Sequence, residues 1–174
     1  MNKLITLVAT ALLIIGAGTA KAQDNVNIGK SNIKLNSRMM TPEALWAMGR
    51  IGGVAASPNG SQVVYQVGYY SVKQNKGHQV ICIMNADGSQ QRQLTTSSKS
   101  ETDPVWLNAE TIAFNCGGEI WTMKADGSDR QQLTKTGGKV EGFKFSPDGT
   151  KVILIQSMPF HEIIKKNPDD LPLA

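Results

Sequence analysis

The chain is poor in the residues on which disulfide-stabilised, metal-binding and many catalytic proteins depend. Its 174 residues include two cysteines, two histidines and 6% aromatic residues. Two cysteines cannot form the several bridges of a small disulfide-rich domain. We therefore expect Cys82 and Cys116 to be unpaired thiols in the core. A bridge between them stays the alternative, because the distance that decides pairing is not given by the sequence.

The sequence also lacks complete motifs for hydrolytic, phosphate-binding or metal chemistry. No Gly-x-Ser-x-Gly nucleophile elbow occurs. Residues 29–31 (GKS) resemble the end of a phosphate-binding loop, but Asp24 occupies the position of its first glycine. Residues 161–165 (HEIIK) begin like a zinc-peptidase helix, yet Lys165 replaces the second histidine. We therefore predict no catalytic, cofactor-binding or metal-binding residues, and no cofactor.

Neither histidine offers a base for a serine triad. His78 is predicted to lie in a loop before a strand and His161 in a tail, and neither has a suitable serine and carboxylate nearby in sequence. Residues 59–61 (NGS) match the glycosylation sequon, but they are predicted to form a tight turn of the repeat described below. These residues therefore give no functional assignment.

Charge of one sign is not concentrated anywhere. The formal net charge is +4, and it falls to +2 without Lys3 and Lys21. Basic and acidic residues alternate, and no stretch combines lysine and arginine with interleaved aromatics. We therefore predict no nucleic-acid partner.

The N-terminus has the pattern of a secretory signal peptide. Lys3 precedes an apolar run over 4–15, and small residues then lead to the triplet AKA at 20–22. The run is short for a hydrocarbon core of about 30 Å, although a retained membrane anchor stays the alternative. We expect cleavage after Ala22, a periplasmic or secreted location, and no membrane association after cleavage.

An internal repeat is the most informative feature that is present. Residues 120–128 (IWTMKADGS) repeat 81–89 (ICIMNADGS) at an offset of 39, and QLT recurs at 93–95 and 132–134. The element SPNG at 57–60 returns as SPDG 89 residues later. A less similar copy of this element lies between them. The first repeat is longer than the second, and its extra residues are assigned to a loop over 69–77. A period near 40 residues with short extended segments is typical of β-propeller blades.

The turn residues give the predicted strands. Asp-Gly and Pro-Asp-Gly favour tight reversals, because proline fixes φ and glycine accepts positive φ. The predicted strands of the first blade are 53–57, 62–68, 79–85 and 91–95, those of the second are 103–107, 111–115, 119–123 and 130–134, and a third blade begins at 141 and 151. The fold class is therefore all-β: an incomplete propeller of two four-stranded blades and the start of a third. Trp106, Trp121 and Phe145 are assigned to packing between blades.

The predicted domain organisation follows from these elements. A signal peptide covers 1–22, a flexible lead-in 23–40, the partial propeller 41–157 (blades about 50–95, 103–134 and 141–157), and an irregular tail 158–174. Thr41 and Pro42 favour the start of a short helix before the first blade, and Gly49, Gly52 and Gly53 are expected to end it.

Three stretches of the chain match a known pattern: 40–45 (MTPEAL), 53–60 (GVAASPNG) and 167–172 (NPDDLP). On these residues the chain, over about 40–174, resembles secreted serine peptidases of the prolyl-oligopeptidase family, above all the bacterial dipeptidyl peptidases of type five. The IWTMKADGS and FSPDGTK stretches are shared with the wider TolB-like propeller group. The resemblance implies a propeller that caps a C-terminal α/β-hydrolase domain, which holds the catalytic triad and acts on peptide substrates. No triad position exists in this chain.

Two functional hypotheses follow. The first is an N-terminal, non-catalytic propeller fragment that gates and orients peptides for a hydrolase domain. The second is a stand-alone periplasmic TolB-like module that binds a protein partner. Closed propellers have about four to eight blades, which favours the first hypothesis. An uncovered blade face also predicts self-association of the fragment.

Overall fold

A computed structural model describes residues 28–34 and 38–157. The predicted signal peptide (1–22) and tail (158–174) lie outside the described residues, and the lead-in (23–40) lies only partly within them. These assignments and the division into domains stay predictions. Among the described residues, no helix combines the length and the apolar character needed to cross a membrane.

One short helix precedes ten strands along the described chain. They are α1 (Pro42–Ala47), β1 (Arg50–Ala56), β2 (Gln62–Ser71), β3 (Lys76–Asn85), β4 (Arg92–Gln93), β5 (Glu101–Trp106), β6 (Thr111–Cys116), β7 (Glu119–Lys124), β8 (Gln131–Gln132), β9 (Lys139–Phe145) and β10 (Val152–Ser157). The strands form two four-stranded antiparallel meanders, β1-β2-β3-β4 and β5-β6-β7-β8, followed by the hairpin β9-β10. The predicted fold class is confirmed: two complete blades and the start of a third.

Local sequence explains the helix and the repeated turns. Thr41 caps α1 by accepting a hydrogen bond from the amide of Ala44 at 3.2 Å, and Pro42 follows it at the first helical position. Gly60 and Gly149 both have a φ of 69°, the left-handed conformation that the predicted reversals need. Gly52 and Gly53 lie within β1, so the prediction that they end the helix is wrong.

The repeated Gln-Leu-Thr motif fixes the outer strand of each blade. The hydroxyl of Thr95 accepts a hydrogen bond from the amide of Ile81, and the hydroxyl of Thr134 accepts one from the amide of Ile120, both at 3.0 Å. The two bonds join residues at the same offset of 39. The strands beside them, β4 and β8, have two residues each, shorter than the five predicted.

The first blade differs from its prediction in one hairpin. The surplus residues lengthen β2 and β3 to ten residues each, and Tyr69 pairs with His78. The predicted loop over 69–77 and the placement of His78 in a loop are therefore wrong. The two strands stay paired without interruption as far as Ser71 and Lys76, which leaves only 72–75 as the turn.

Two apolar layers join successive blades. The first layer is formed by residues of both complete blades, with Trp106 and Trp121 packed against it: Val64, Ile81, Ile83, Ile112, Phe114, Cys116 and Met123. The second layer joins the second blade to the hairpin β9-β10 through Ala113, Ile120 and Val140, and Phe145 packs against it. The prediction that Trp106, Trp121 and Phe145 pack between blades is confirmed.

The hairpin ends align the three blades position by position. Backbone hydrogen bonds close the first hairpin of each blade between Ser57 and Gln62, between Leu107 and Thr111, and between Ser146 and Lys151. Counted from these ends along the ladders, Val64, Ala113 and Ile153 occupy one equivalent position. Ile51, Glu101 and Val140 occupy another, opposite Val67, Cys116 and Gln156 respectively. In each blade, the pairing between the first and second strands is interrupted by one shift of register, a β-bulge or similar irregularity.

Candidate functional site

A cleft of about 550 Å³ lies between the second blade and the hairpin β9-β10. The residues that line it come from β5 and the segment before it, from the end of β6 and the β6–β7 turn, and from β9: Lys99, Ser100, Thr102, Asp103, Asn115, Gly117, Gly118, Lys139, Val140 and Glu141. β5 and β9 are the first strands of their sheets, and β5 packs against β1, the first strand of the preceding blade. The cleft therefore opens at the edges where first strands of successive blades approach one another.

A two-glycine turn brings two lysines to this cleft. Gly117 and Gly118 have φ values of 65° and 82°, which suit a two-residue hairpin loop. A Cβ atom on Gly117 would come within 3.1 Å of the Lys99 side chain, and one on Gly118 within 3.2 Å of the Lys139 side chain. The absence of side chains on the turn thus allows both lysines to approach it.

Two carboxylates lie on the first strands at the same cleft. The Asp103 carboxylate accepts a hydrogen bond from the Thr102 hydroxyl at 2.7 Å. The Glu141 carboxylate accepts one from the Ser157 hydroxyl at 2.7 Å. Asp103 and Glu141 are both exposed. With the lysines, they give the cleft charges of both signs that water can reach.

Polar side chains fix the Asp103 side of the cleft to the first blade. The Gln66 side chain accepts a hydrogen bond from the Asp103 amide at 3.0 Å and donates one to Gln79 at 2.8 Å. The Ser100 hydroxyl accepts a hydrogen bond from the Gln79 amide at 3.2 Å. Asp103 is a non-glycine residue with a φ of 55°, and the bond to Gln66 holds this conformation.

Asn115 fixes the other side. Its amide nitrogen donates to the Val140 carbonyl at 2.7 Å, and its oxygen accepts from the Gly118 amide at 3.1 Å. Both ends of this side chain are occupied, so Asn115 joins the second blade to β9. The cleft wall is thus hydrogen-bonded across both blade junctions.

A buried ion pair lies next to this wall, within the layer between the two complete blades. Glu101 has no exposed surface, and one of its carboxylate oxygens contacts the Arg130 guanidinium. The guanidinium is 5.0 Å from the ring centres of both Phe114 and Trp121, and it donates to the Cys116 sulfur at 3.3 Å. Among the described residues, no hydrogen-bond partner reaches the second carboxylate oxygen of Glu101.

The cysteines lie apart in the fold. Cys82 and Cys116 are both buried and unpaired, as expected. Cys82 packs on the far side of the first blade, whereas Cys116 lies in the layer between blades. Burial raises the pKa of the Cys82 thiol, which keeps it protonated and a poor nucleophile near neutral pH.

The residues that resemble known motifs do not converge. Residues 29–31 lie in an exposed segment without secondary structure, and no helix begins within the described residues 31–34 to support a phosphate. His78 is buried in β3, and residues 161–165 lie outside the described residues. The Asn59 side chain accepts hydrogen bonds within its own turn from Ser57 and Ser61. Across the described ranges, no group of three histidine, cysteine or acidic residues could hold a metal ion.

The cleft residues were not identified from the sequence. Lys99, Asp103, Lys139 and Glu141 resemble ordinary solvated charges between strands. A signal does exist, because each of these four charged residues lies in or just before the first strand of a blade. Since the first strands of successive blades approach one another, aligning the blades would have placed the four charges at the same edge. The chemistry available in the cleft is ion pairing and hydrogen bonding with a ligand that carries both charges.

Comparisons with known proteins identify relatives over the whole chain. The chain is 32% identical over 172 residues to dipeptidyl-peptidase 5 of Porphyromonas endodontalis, covering 95% of this chain and 24% of that protein. It is 34% identical over 179 residues to dipeptidyl-peptidase 5 of Porphyromonas gingivalis, covering 100% of this chain and 25% of that protein. No family model matches.

A solved structure supports the fold. A puromycin-hydrolyzing peptidase of Mycobacterium tuberculosis superposes with a TM-score of 0.52 at 14% identity, over 62% of this chain and 19% of that chain. The chain is thus homologous to dipeptidyl-peptidase 5 and spans about a quarter of the length of these curated relatives.

Proposed function

We propose that this chain forms the opening, non-catalytic blades of the propeller of a secreted serine dipeptidyl peptidase. In that enzyme the blades gate and orient peptide substrates for an α/β-hydrolase domain located elsewhere in the protein. The observation that carries the proposal is homology to dipeptidyl-peptidase 5 along the whole chain, at 32–34% identity. The apolar run and AKA triplet at 4–22 support export and a periplasmic or secreted location.

The charged cleft supports a role in orienting peptides. A peptide has an ammonium group at one end and carbonyl groups along its backbone. Asp103 and Glu141 can pair with the ammonium group, and Lys99 and Lys139 can donate hydrogen bonds to carbonyl oxygens. Because the cleft is at the edges of the first strands, a peptide bound there would lie along the inner side of the propeller.

The proposed division of labour is that these blades bind and the hydrolase domain cleaves. Hydrolysis by a serine peptidase needs a nucleophile, a base and an orienting carboxylate within hydrogen-bonding reach. Among residues 28–34 and 38–157 the histidine available is His78, which is buried between strands rather than in the cleft. We therefore expect the purified chain to leave chromogenic dipeptide substrates intact.

A chimera tests the proposal directly. The matching quarter of the Porphyromonas gingivalis dipeptidyl-peptidase 5 is replaced by this chain, and release of dipeptides from chromogenic substrates is measured. We expect the chimera to hydrolyse them. The paired change Asp103→Asn with Glu141→Gln should raise KM several-fold with a smaller effect on kcat, because it removes the charges proposed to hold the substrate.

Lys151→Met is the matched control, because Lys151 is exposed at a hairpin end and does not line the cleft. A chimera that folds but has no activity would contradict the proposed equivalence of this chain with the propeller of the relative. An active chimera in which the cleft variant keeps the KM of the control would contradict the orienting role alone.

A further inference from the structure

The side chain of Gln66 connects the first blade to the charged cleft. Gln66 lies on β2, and its Oε1 atom accepts a hydrogen bond from the backbone amide of Asp103 in the next blade at 3.0 Å. Asp103 has a φ of 55°, a conformation that residues other than glycine adopt uncommonly and that the surrounding structure must hold. Because Asp103 lines the cleft and Gln66 does not, Gln66 acts on the cleft from outside its wall.

The amide group of Gln66 is itself held by the first blade. Its Nε2 atom donates to the side chain of Gln79 at 2.8 Å, and the backbone amide of Gln79 donates to the Ser100 hydroxyl at 3.2 Å. Ser100 precedes Asp103 by three residues and also lines the cleft. The first blade therefore fixes this segment of the cleft wall at two points, through polar contacts that the strand ladders do not supply.

Gly52 leaves the space that the Gln66 side chain occupies. A Cβ atom on Gly52 would lie 2.8 Å from Nε2 and 3.0 Å from Cδ of Gln66, which is below van der Waals contact. The next residue, Gly53, differs, because the nearest atom to a Cβ there would be Cδ of Pro104 at an ordinary 3.6 Å. Neither glycine has a positive φ. Room for Gln66 is thus the feature of Gly52 that Gly53 does not share.

The equivalent position in the second blade makes an equivalent connection. Counted from the hairpin ends, Gln66 corresponds to Asn115. Asn115 also reaches the first strand of the following blade, where its amide nitrogen donates to the Val140 carbonyl at 2.7 Å, next to Glu141. An amide side chain at one repeated position therefore holds the strand segment that carries an acidic cleft residue at both junctions.

We propose that Gln66 is a positioning residue of the cleft, which holds Asp103 so that its carboxylate faces the ammonium group of a bound peptide, and that Gly52 gives Gln66 the room to do so. The inference rests on the proposed function, because it gives Gln66 a part in binding the peptide. Gln66 does not touch the peptide and acts through the backbone of Asp103. Its removal should therefore weaken binding only while residue 103 carries a charge.

Kinetics of the chimera with the Porphyromonas gingivalis relative test this role. Gln66→Leu should raise KM several-fold with a smaller effect on kcat, in the same direction as Asp103→Asn. When both changes are combined, KM should rise no further than with Asp103→Asn alone, because the charge on which Gln66 acts is absent. Gln66→Glu keeps an acceptor for the Asp103 amide, and Gln79 can turn its amide group to donate to it, so this variant should not raise KM.

The two adjacent glycines provide a matched pair of variants. Gly52→Ala should displace the Gln66 amide group and raise KM as Gln66→Leu does, and the two changes together should have the effect of one. Gly53→Ala adds the same methyl group one residue further along β1, where it meets no close contact, and should keep the KM of the unmodified chimera.

Amide hydrogen exchange of the full chain, followed by NMR, tests the positioning without an activity. The Asp103 amide donates to Gln66, so Gln66→Leu and Gly52→Ala should each speed its exchange several-fold. The amide of Leu133, which donates to the Ile120 carbonyl at 2.8 Å, should keep its rate and thereby show that the second blade stays folded.

The outcomes separate this inference from the proposed function. Unchanged exchange of the Asp103 amide in Gln66→Leu would overturn the inference. So would an active chimera in which Asp103→Asn raises KM and Gln66→Leu does not, or in which the two effects add, and both results would leave the proposed function intact. A folded but inactive chimera would contradict the proposed function and with it the part of Gln66 in peptide binding, while the exchange rates would still decide whether Gln66 holds Asp103.

Discussion

Removal of Arg130 should destabilise the protein far more than removal of an exposed cation. The Glu101 side chain is completely buried and Arg130 is 30% exposed, so Arg130→Met leaves a buried carboxylate without its counter-charge. Breaking a buried ion pair typically costs about 3–5 kcal/mol. We expect about 3 kcal/mol here, because Arg130 is partly exposed and methionine keeps some contact with Phe114 and Trp121.

The repeat itself supplies the compensating change. Isoleucine and valine occupy the positions in the first and third blades that correspond to Glu101. The double variant Glu101→Val with Arg130→Met should therefore unfold with a free energy within about 1 kcal/mol of the wild-type value, since apolar replacement of a buried pair is often neutral or stabilising.

Urea unfolding at pH 7, followed by circular dichroism at one protein concentration, measures the difference. With a slope of about 1.5 kcal/mol per molar urea, a loss of about 3 kcal/mol lowers the midpoint by about 2 M. Lys124→Met is the control, because Lys124 and Asp129 form an exposed pair at 3.8 Å and should contribute no more than about 0.5 kcal/mol. A double variant as unstable as Arg130→Met would refute the reasoning.

Three further predictions concern single sites. Hydrogen bonds from Ser146 and Thr150 lower the pKa of Asp148 from 3.8 to about 2. The stabilising effect of its carboxylate is therefore complete above about pH 4 and is lost as the pH falls through about 2. The difference in thermal unfolding temperature between the wild type and Asp148→Asn should close over this range. Gly118→Ala should cost about 1–2 kcal/mol in urea unfolding because of its φ of 82° and its closeness to Lys139, whereas Gly29→Ala, with open space around it, should have no measurable effect. Cys82 and Cys116 should react with Ellman's reagent only when urea unfolds the chain, and rapid reaction of the native protein would contradict their burial.

The blade pattern could be predicted because it depends on turn residues and repeated motifs that are close together in the sequence. Gly60 and Gly149 mark the same turn in two blades, and the offset of 39 is fixed by the same hydrogen bonds at Thr95 and Thr134. The long hairpin was missed because no glycine or proline pattern distinguishes a longer ladder from a loop over 69–77. Pairing of Tyr69 with His78 depends on the strands before it, which the local sequence does not reveal.

The cleft and the buried ion pair could not be predicted for a different reason. Glu101 and Arg130 are 29 residues apart, and both belong to residue types that are mostly exposed in folded proteins. Their contact depends on the register of β5 against β6, which places Glu101 opposite Cys116. Lys99 and Lys139 likewise line one cleft only because both side chains approach the Gly117–Gly118 turn.

The two separate apolar layers have a consequence for how the architecture changes in evolution and on heating. Each layer is shared by consecutive sheets only, so the stability of the stack is close to a sum over neighbours. A duplicated or deleted sheet would alter only the junctions in which it takes part and leave the others intact. The hairpin β9-β10, which is held by a single junction among the described residues, should detach at a lower temperature than the paired sheets before it melt.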